Sequence, residues 1–320
     1  MRFVVYGAGA VGGVIGGRLH EADREVVLVA RGGHYEAIRR DGLRLESPDA
    51  AVTLAVDVVD GPDAIDWRGD EVVLLTVKSQ DTETAVAALA QHAPGTTPVV
   101  SAQNGVANEP RLLRSFAHVY GMCVMTPAAH LSPGVVAAHA SPVTGILDLG
   151  RYPTGTDDVA AAVSEALRSA TFVSAPRPDI MRWKYRKLVM NLGNAIQAVC
   201  GPEANGGRLH DLVRDEAERC LELAEIEVAS VKEDKVRRGG HLKVRSIGSE
   251  PRSGGSSWQS LQRAAGSIET DYLNGEVVLL GRLLGIPTPA NALLQRLAND
   301  LAHHRRPPSE LTEEAVLAQL

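Results

Sequence analysis

Hydrophobic and polar positions along this chain fall into two textures. Up to about residue 176, short apolar runs recur between polar or glycine-rich turns. Beyond it, apolar positions return at helical spacing. Arg2–Tyr6, Glu25–Ala30, Glu71–Val77 and Thr97–Ala102 predict strands, the third with the unbroken apolar character of a strand buried on both faces. Leu43–Glu46 and Val52–Val56 predict short strands. Val119–Thr126, Gly134–His139 and Gly145–Gly150 predict strands that can finish a sheet in antiparallel fashion, and Thr171–Ala175 a last one. Helical spacing covers Val14–His20, His34–Arg40, Thr82–His92 and Thr156–Ser169. Pro176-Arg177-Pro178 breaks regular structure and sets the predicted boundary between domains 1–176 and 177–320. The second half predicts helices over 179–199, 212–237, 258–284 and 291–303, a polar glycine-rich loop over 239–255 and a peripheral tail. No strand pattern occurs there, so an α/β domain precedes an all-α one.

The turn after the first strand changes the picture. Gly7-Ala8-Gly9-Ala10-Val11-Gly12 follows the strand directly and opens a helix, and Glu25–Ala30 is a second strand closed by Arg31. Glycine turns alone are common. Strand, glycine turn, helix and strand in this order are the context of a dinucleotide-binding fingerprint. Gly7 permits the tight turn, Gly9 lets a diphosphate approach the backbone, and Gly12 lets helix and sheet pack closely. The helix start adds free amides and partial positive charge. No acid stands between Val26 and Tyr35, where an NAD site usually has one, and a guanidinium grips a phosphate with two hydrogen bonds. Arg31 therefore points to NADPH rather than NADH. The other reading is a solvated arginine at a strand end. Lys78-Ser-Gln80 and Gln103-Asn104-Gly105 end two further strands, so three polar clusters share one sheet rim.

Composition narrows the class. The chain has 320 residues, 44% hydrophobic and 22% charged, with a net charge of −6. That balance suits a two-domain globular protein and argues against a broad nucleic-acid footprint. Cys123, Cys200 and Cys220 fit no zinc or redox spacing, and no metal site is predicted. They read as reduced thiols of a cytoplasmic protein. No apolar run approaches a membrane span, and the first residues read as a strand rather than a signal peptide. A homodimer through the helical domain is open, with nothing in the sequence to decide it.

In the helical half, Lys187, Asn191 and Asn194 lie at offsets of four and seven and share one stripe of a helix, with Lys184 one turn earlier. An amide stripe beside a lysine, on a helix otherwise built from Leu, Val, Met and Ala, suits a polar site. A solvated face is the alternative, and geometry leaves both lysines open. Downstream, Ser256-Ser257 stand at a helix start, with Glu269 and Asp271 twelve and fourteen residues past Ser257. On pattern alone those two acids read first as a solvated acidic face.

Taken together, GAGAVG, Arg31, Val77-Lys78-Ser-Gln80, Gln103-Asn104-Gly105, Lys187-Leu-x-x-Asn191, Ser256-Ser257, Glu269-Thr-Asp271-Tyr-x-Asn274-Gly275 and Gly285-Ile-Pro-x-Pro-x-Asn291 resemble the ketopantoate reductases (2-dehydropantoate 2-reductases) from about residue 1 to 298. The resemblance implies a Rossmann-type α/β domain followed by an all-α domain. It further implies NADPH-dependent reduction of a 2-keto acid, by default 2-dehydropantoate to pantoate in pantothenate biosynthesis. It assigns the diphosphate to Gly7, Gly9, Gly12 and the intervening Ala8, Ala10 and Val11, and the 2′-phosphate to Arg31. Lys78, Gln80 and Asn104 would line the cofactor. Lys187, marked out from Lys184 by the Leu188-x-x-Asn191 that follows it, would be the general acid. Asn191, Asn194 and Ser257 would bind substrate, and Glu269 would complete the site, which would open and close between two domains. The related β-hydroxyacid dehydrogenases share the Lys-x-x-x-Asn pattern, but the segment from Ser256 to Glu269 favours the reductases.

Two departures stand out. The family's second asparagine usually comes four residues after the first, whereas Asn194 comes three after Asn191. Gly254 stands near where the family carries an asparagine before Ser257, which opens the identity of the keto acid. A family member acting on another 2-keto acid or small carbonyl is one alternative. An NADP(H)-binding regulatory protein without turnover is another, against which intact Lys187 and Glu269 argue.

Overall fold

The computed structural model describes residues 1–204, 206–248 and 254–320. The chain opens with β1 (Arg2–Tyr6), α1 (Ala10–Glu21), β2 (Val26–Val29), α2 (Gly32–Asp41), β3 (Leu43–Glu46), β4 (Ala51–Leu54) and β5 (Asp57–Val59). It continues with β6 (Glu71–Leu75), α3 (Thr82–His92), β7 (Val99–Ser101), α4 (Glu109–Leu112), β8 (Val119–Met125), β9 (Ala128–Ser132), β10 (Val135–Ala138), β11 (Gly145–Arg151), α5 (Asp158–Ser169) and β12 (Phe172–Val173). Thereafter come α6 (Ile180–Asn191), α7 (Gly193–Cys200), α8 (Arg208–Leu223), α9 (Val231–Arg238), α10 (Ser256–Gln262), α11 (Asn274–Leu284), α12 (Pro289–His303) and α13 (Glu313–Leu317).

Eight strands form one sheet in the order β12-β11-β8-β7-β6-β1-β2-β5. Every pairing is parallel except β8 with β11, the antiparallel finish expected from the run of strands after Val119. Alternation splits β1 between two cores. Phe3 and Val5 join one apolar cluster with Val14, Ile15 and Leu19 of α1, while Val4 and Tyr6 join another with Ala85, Val86 and Leu89 of α3. A sheet buried on both faces is why these strands read as continuous apolar runs.

A second sheet, β4-β3-β10-β9, was not foreseen as a unit, and β5 and β9 were not predicted. It explains the glycines of α1. A Cβ on Gly16 would fall 2.5 Å from Leu28 of the large sheet, and one on Gly13 would fall 2.7 Å from Val136 of the small one. Helix α1 thus runs between two sheets at a distance only glycine allows. It also starts four residues before the predicted Val14, because the glycine turn supplies its first turn.

Three predicted long helices are broken. The 179–199 helix is interrupted at Leu192, whose amide turns back to the Val189 carbonyl, and Asn274 donates to the carbonyl Leu192 leaves. The 212–237 helix ends at Leu223 because Glu225 takes a left-handed φ of 54°. That turn carries Ala229 into the interior, where its amide meets the Arg182 carbonyl. The 258–284 helix splits into α10, a 3₁₀ turn at Glu269–Tyr272 and α11, with Ala264 and Gly266 in left-handed conformations between. Residues 249 to 253 of the predicted polar loop lie outside the described residues. The tail is not peripheral. Val316 is fully buried, Ser309 and Leu311 donate to the Ala198 and Val199 carbonyls, and Glu313 accepts from the Leu209 amide at 2.8 Å.

The single boundary at residue 176 gives way to two interleaved units. One comprises Met1–Gln103, Asn108–Met181 and Lys232–Arg252, the other Asn104–Ala107, Arg182–Val231 and Ser253–Leu320. Charge explains the exchange. The buried carboxylate of Asp148 on β11 is met by Arg177 and by both ends of the Arg237 guanidinium on α9, and Val244 bridges to Ala140. A buried carboxylate holds its cations against solvent, so the α9 segment goes with the sheet. The second unit is all helical among its described residues, around Leu192, Ile196, Val213, Leu221, Leu294 and their neighbours. Cys123 and Cys220 are buried and take part in no disulfide. Burial, then Glu313 and Glu314, pushes the Cys200 thiol up to about 11, far from nucleophilic.

Candidate functional site

In the sheet unit, β1, β2, β6 and β7 end along one rim, with Tyr6 in register with Val29 and Leu75. The glycine turn occupies that rim. Gly7 has φ of +112°, and a Cβ there would fall 2.8 Å from Val77. Gly12 is packed to the limit, since a Cβ would lie 2.2 Å from the Gly7 carbonyl and 2.3 Å from the Thr76 hydroxyl, itself donating to Gly7 at 2.8 Å. At Gly9 nothing lies within 4 Å of the Cβ position. The turn is therefore closed on the protein side and open at Gly9. Helix α1 begins there with no acid in its first turn and no capping side chain. Unclaimed amides, an open backbone and a positive helix end suit a phosphate group.

Arg31 caps α2 at the end of β2, exposed, and its guanidinium donates to the Tyr6 hydroxyl at 3.3 Å. It is thus held at the same rim rather than merely trailing into solvent. Lys78, half-buried, precedes a 3₁₀ turn at Ser79–Asp81 that contains Gln80. That turn is pinned by a network the sequence reading did not anticipate. Gln103 donates to the Val77 carbonyl at 2.8 Å and the Thr82 hydroxyl at 2.9 Å, Thr82 donates to Asn108, and Asn108 donates to Ser79. Buried and satisfied, such a network rigidifies the loop it holds. The only signal for it was the position of Gln103 at a strand end.

In the helical unit the structure gathers several of the predicted residues. Asn191, 7% exposed, donates to the Asn104 side chain at 3.1 Å. Gly105, at φ +77°, lies so close to the Tyr272 carbonyl that a Cβ would approach it to 2.8 Å. The segment bearing Asn104 thus packs on the 3₁₀ turn that carries Glu269, which is 8% exposed. Asn194 donates to the Ser256 hydroxyl at 3.4 Å, and Ser257 is buried. None of Lys184, Lys187, Asn191 and Asn194 is fully exposed. Lys184 is the deeper lysine, at 2% exposure, and Lys187 is half-buried. The two acids separate as well. Asp271 is exposed and accepts from Gln295 and Asn299, a surface bracket, and only Glu269 is enclosed. Glu269 is not inside the helix begun at Ser256, as the pattern suggested, but on its own turn. Asn274 and Asn291 hold the fold: Asn274 donates to Asn291, which donates to the Val213 carbonyl and to Glu216 at 2.7 Å.

Comparison with known proteins gives a consistent result. The ketopantoate reductase PanE/ApbA family matches residues 3–153 and its C-terminal family residues 179–302. The chain is 30% identical to the 2-dehydropantoate 2-reductase of Halobacterium salinarum, over 90% of this chain and 95% of that one. It superposes with TM-score 0.80 on a PanE/ApbA family ketopantoate reductase from Ralstonia eutropha JMP134, at 28% identity over 95% of this chain and 99% of that one. A D-mandelate dehydrogenase with NADH and anilino(oxo)acetate superposes with TM-score 0.81 at 21% identity, over 95% and 99% of the two chains, a likeness of fold.

Proposed function

The chain belongs to the ketopantoate reductase family and is an oxidoreductase of the 2-dehydropantoate 2-reductase type, and from that premise we propose that it reduces a 2-keto acid with NADPH, 2-dehydropantoate by default. The reduced nicotinamide supplies the hydride to the 2-carbonyl carbon. Gly7, Gly9 and Gly12 receive the diphosphate on the backbone, with Ala8, Ala10 and Val11 between them, and Arg31 receives the 2′-phosphate. Lys78, Gln80 and Asn104 line the cofactor. The Lys187 ammonium meets the oxygen on which charge develops and gives it a proton, a contribution of about 10²–10⁴-fold. Glu269 completes the polar site. Asn191, Asn194 and Ser257 hold the keto acid.

The observation that supports this reading most is the meeting of Asn104, Asn191 and the turn of Glu269 within one unit, from three distant stretches of chain. A second reading keeps the chemistry and changes the substrate. At Gly254, with φ +62°, a Cβ would fall 2.6 Å from the Trp258 indole. Residue 254 therefore has no room for an amide side chain, and a 2-keto acid other than 2-dehydropantoate is favoured. One experiment separates the readings: oxidation of NADPH and of NADH followed against a panel of 2-keto acids including 2-dehydropantoate. Highest kcat/KM for 2-dehydropantoate with NADPH supports the first. Preference for another 2-keto acid supports the second, and no turnover with any member sinks both.

A further inference from the structure

His34 is the third residue of α2, three positions after Arg31, and its ring is half-buried. Its Nε2 lies 2.7 Å from the Ala8 carbonyl, and the Gly134 amide lies 2.8 Å from its Nδ1. A carbonyl only accepts and a backbone N–H only donates. The two contacts therefore admit one state of the ring, neutral with its hydrogen on Nε2. The ring of His130 in β9 covers it, centroids 4.4 Å apart and planes tilted by 60°. A single side chain thus ties together the glycine turn, the first turn of α2 and the turn between β9 and β10.

We propose that His34 is a positioning residue of the dinucleotide site, fixing the glycine turn against the segment that carries Arg31 so that the two phosphate contacts are presented at one spacing. The inference rests on the reading of those two segments as the cofactor site. Protonation undoes the bridge, because a hydrogen on Nδ1 would face the Gly134 N–H, donor against donor. Burial holds the imidazole below its ordinary pKa, partly offset by the bond to the Ala8 carbonyl. The titratable group packed on the ring is His130 of β9. The glycine turn and Ser132-Pro133-Gly134 bring none, and α2 with its cap carries Arg31, Tyr35, Glu36, Arg39, Arg40 and Asp41.

The test is the dissociation constant of NADPH, and of NADH as control, measured on the full chain for wild type, His34→Ala and His34→Gln between about pH 5 and 8. Glutamine can donate to the Ala8 carbonyl and does not titrate in this range. At pH 8, His34→Ala should bind NADPH about tenfold more weakly, the scale of one buried hydrogen bond, and His34→Gln should recover most of the loss. KM for NADPH should rise with kcat nearly unchanged. As pH falls, wild type should lose affinity relative to His34→Gln. Protonation of the cofactor's 2′-phosphate, with a pKa of about 6, is common to all three and cancels in the ratio. Wild-type affinity in His34→Ala, or a wild-type to His34→Gln ratio flat with pH, overturns the inference. The second outcome does so even if the alanine variant fails to fold. Wild type binding neither dinucleotide would instead overturn the reading of the site.

Discussion

The glycine turn of the sheet unit and the amide cluster of the helical unit present polar groups in opposite ways. At the turn the groups are backbone, and the side chains matter by being absent. Gly7, Gly9 and Gly12 are told apart by what a Cβ would meet, which is Val77, nothing, and the Gly7 carbonyl respectively. In the helical unit the groups are side chains. Asn191 meets Asn104 and Glu269 is buried, and each is placed by a different stretch of chain. A backbone site is specified by a few consecutive residues. A side-chain site is specified only once distant elements have packed. The two should therefore fail differently when mutated.

The largest expected effect is on the side-chain site. Lys187→Ala should lower kcat by about 10²–10⁴-fold or more with dinucleotide binding intact. Lys184→Met should chiefly lower the melting temperature, since residue 184 is the buried one. If instead Lys187→Ala only raised KM and folded Lys184→Met lost turnover, the two lysines would exchange roles.

Next comes a pair at the backbone site. Gly12→Ala drives a Cβ to 2.2 Å from a carbonyl that cannot yield, so stability should fall by several kcal/mol and dinucleotide binding with it. Gly9→Ala meets no protein atom and keeps an allowed φ of −68°, so its melting temperature should match wild type while dinucleotide affinity drops. Unchanged affinity in folded Gly9→Ala would show that no ligand approaches there.

Arg31→Ala comes third. Loss of a charge-assisted phosphate contact should narrow the preference for NADPH over NADH about tenfold or more, measured as a ratio of kcat/KM. An unchanged ratio would remove Arg31 from cofactor selection.

The smallest effect contrasts two helix starts within the sheet unit, those of α1 and α5. Helix α5, unlike α1, has a side-chain cap. Asp157 accepts from the Ala160 amide at 3.0 Å, the Tyr120 hydroxyl at 2.8 Å and Arg151 at 2.9 Å. Burial alone would raise this carboxyl, but those bonds hold it below its usual range. Its stabilisation is therefore full above the unfolded carboxyl pKa and lost as pH falls through the folded one. Asp157→Asn should cost about 1 kcal/mol at pH 7 in denaturant unfolding. The gap between the two proteins should close in acid, and a gap independent of pH would mean the charge contributes nothing.

Where the sequence reading failed is as informative. It merged α8 with α9 and α10 with α11, because helical spacing continues across Glu225 and Ala264, ordinary residues that take left-handed φ only under tertiary demand. It left the tail outside, since nothing local reveals that Val316 is fully buried or that Glu313 accepts from Leu209. It found Gln103 as a strand-end residue without the network the residue anchors. His34 was only a helix residue until Ala8 and Gly134, distant in sequence, were seen on its two nitrogens.

By itself, then, the sequence determined most strands and helices of the first half, though not β5, α4 or β9, together with the glycine turn and the change to helices after residue 176. All of these are set by neighbours along the chain, through backbone conformation and apolar period. Tertiary structure decided that α1 lies between two sheets and that the segment from Lys232 to Arg252 returns to the sheet unit. It also decided that Lys184 is buried deeper than Lys187 and that Asn191 meets Asn104. Burial and side-chain facing depend on partners tens of residues away, and such partners exist only after packing.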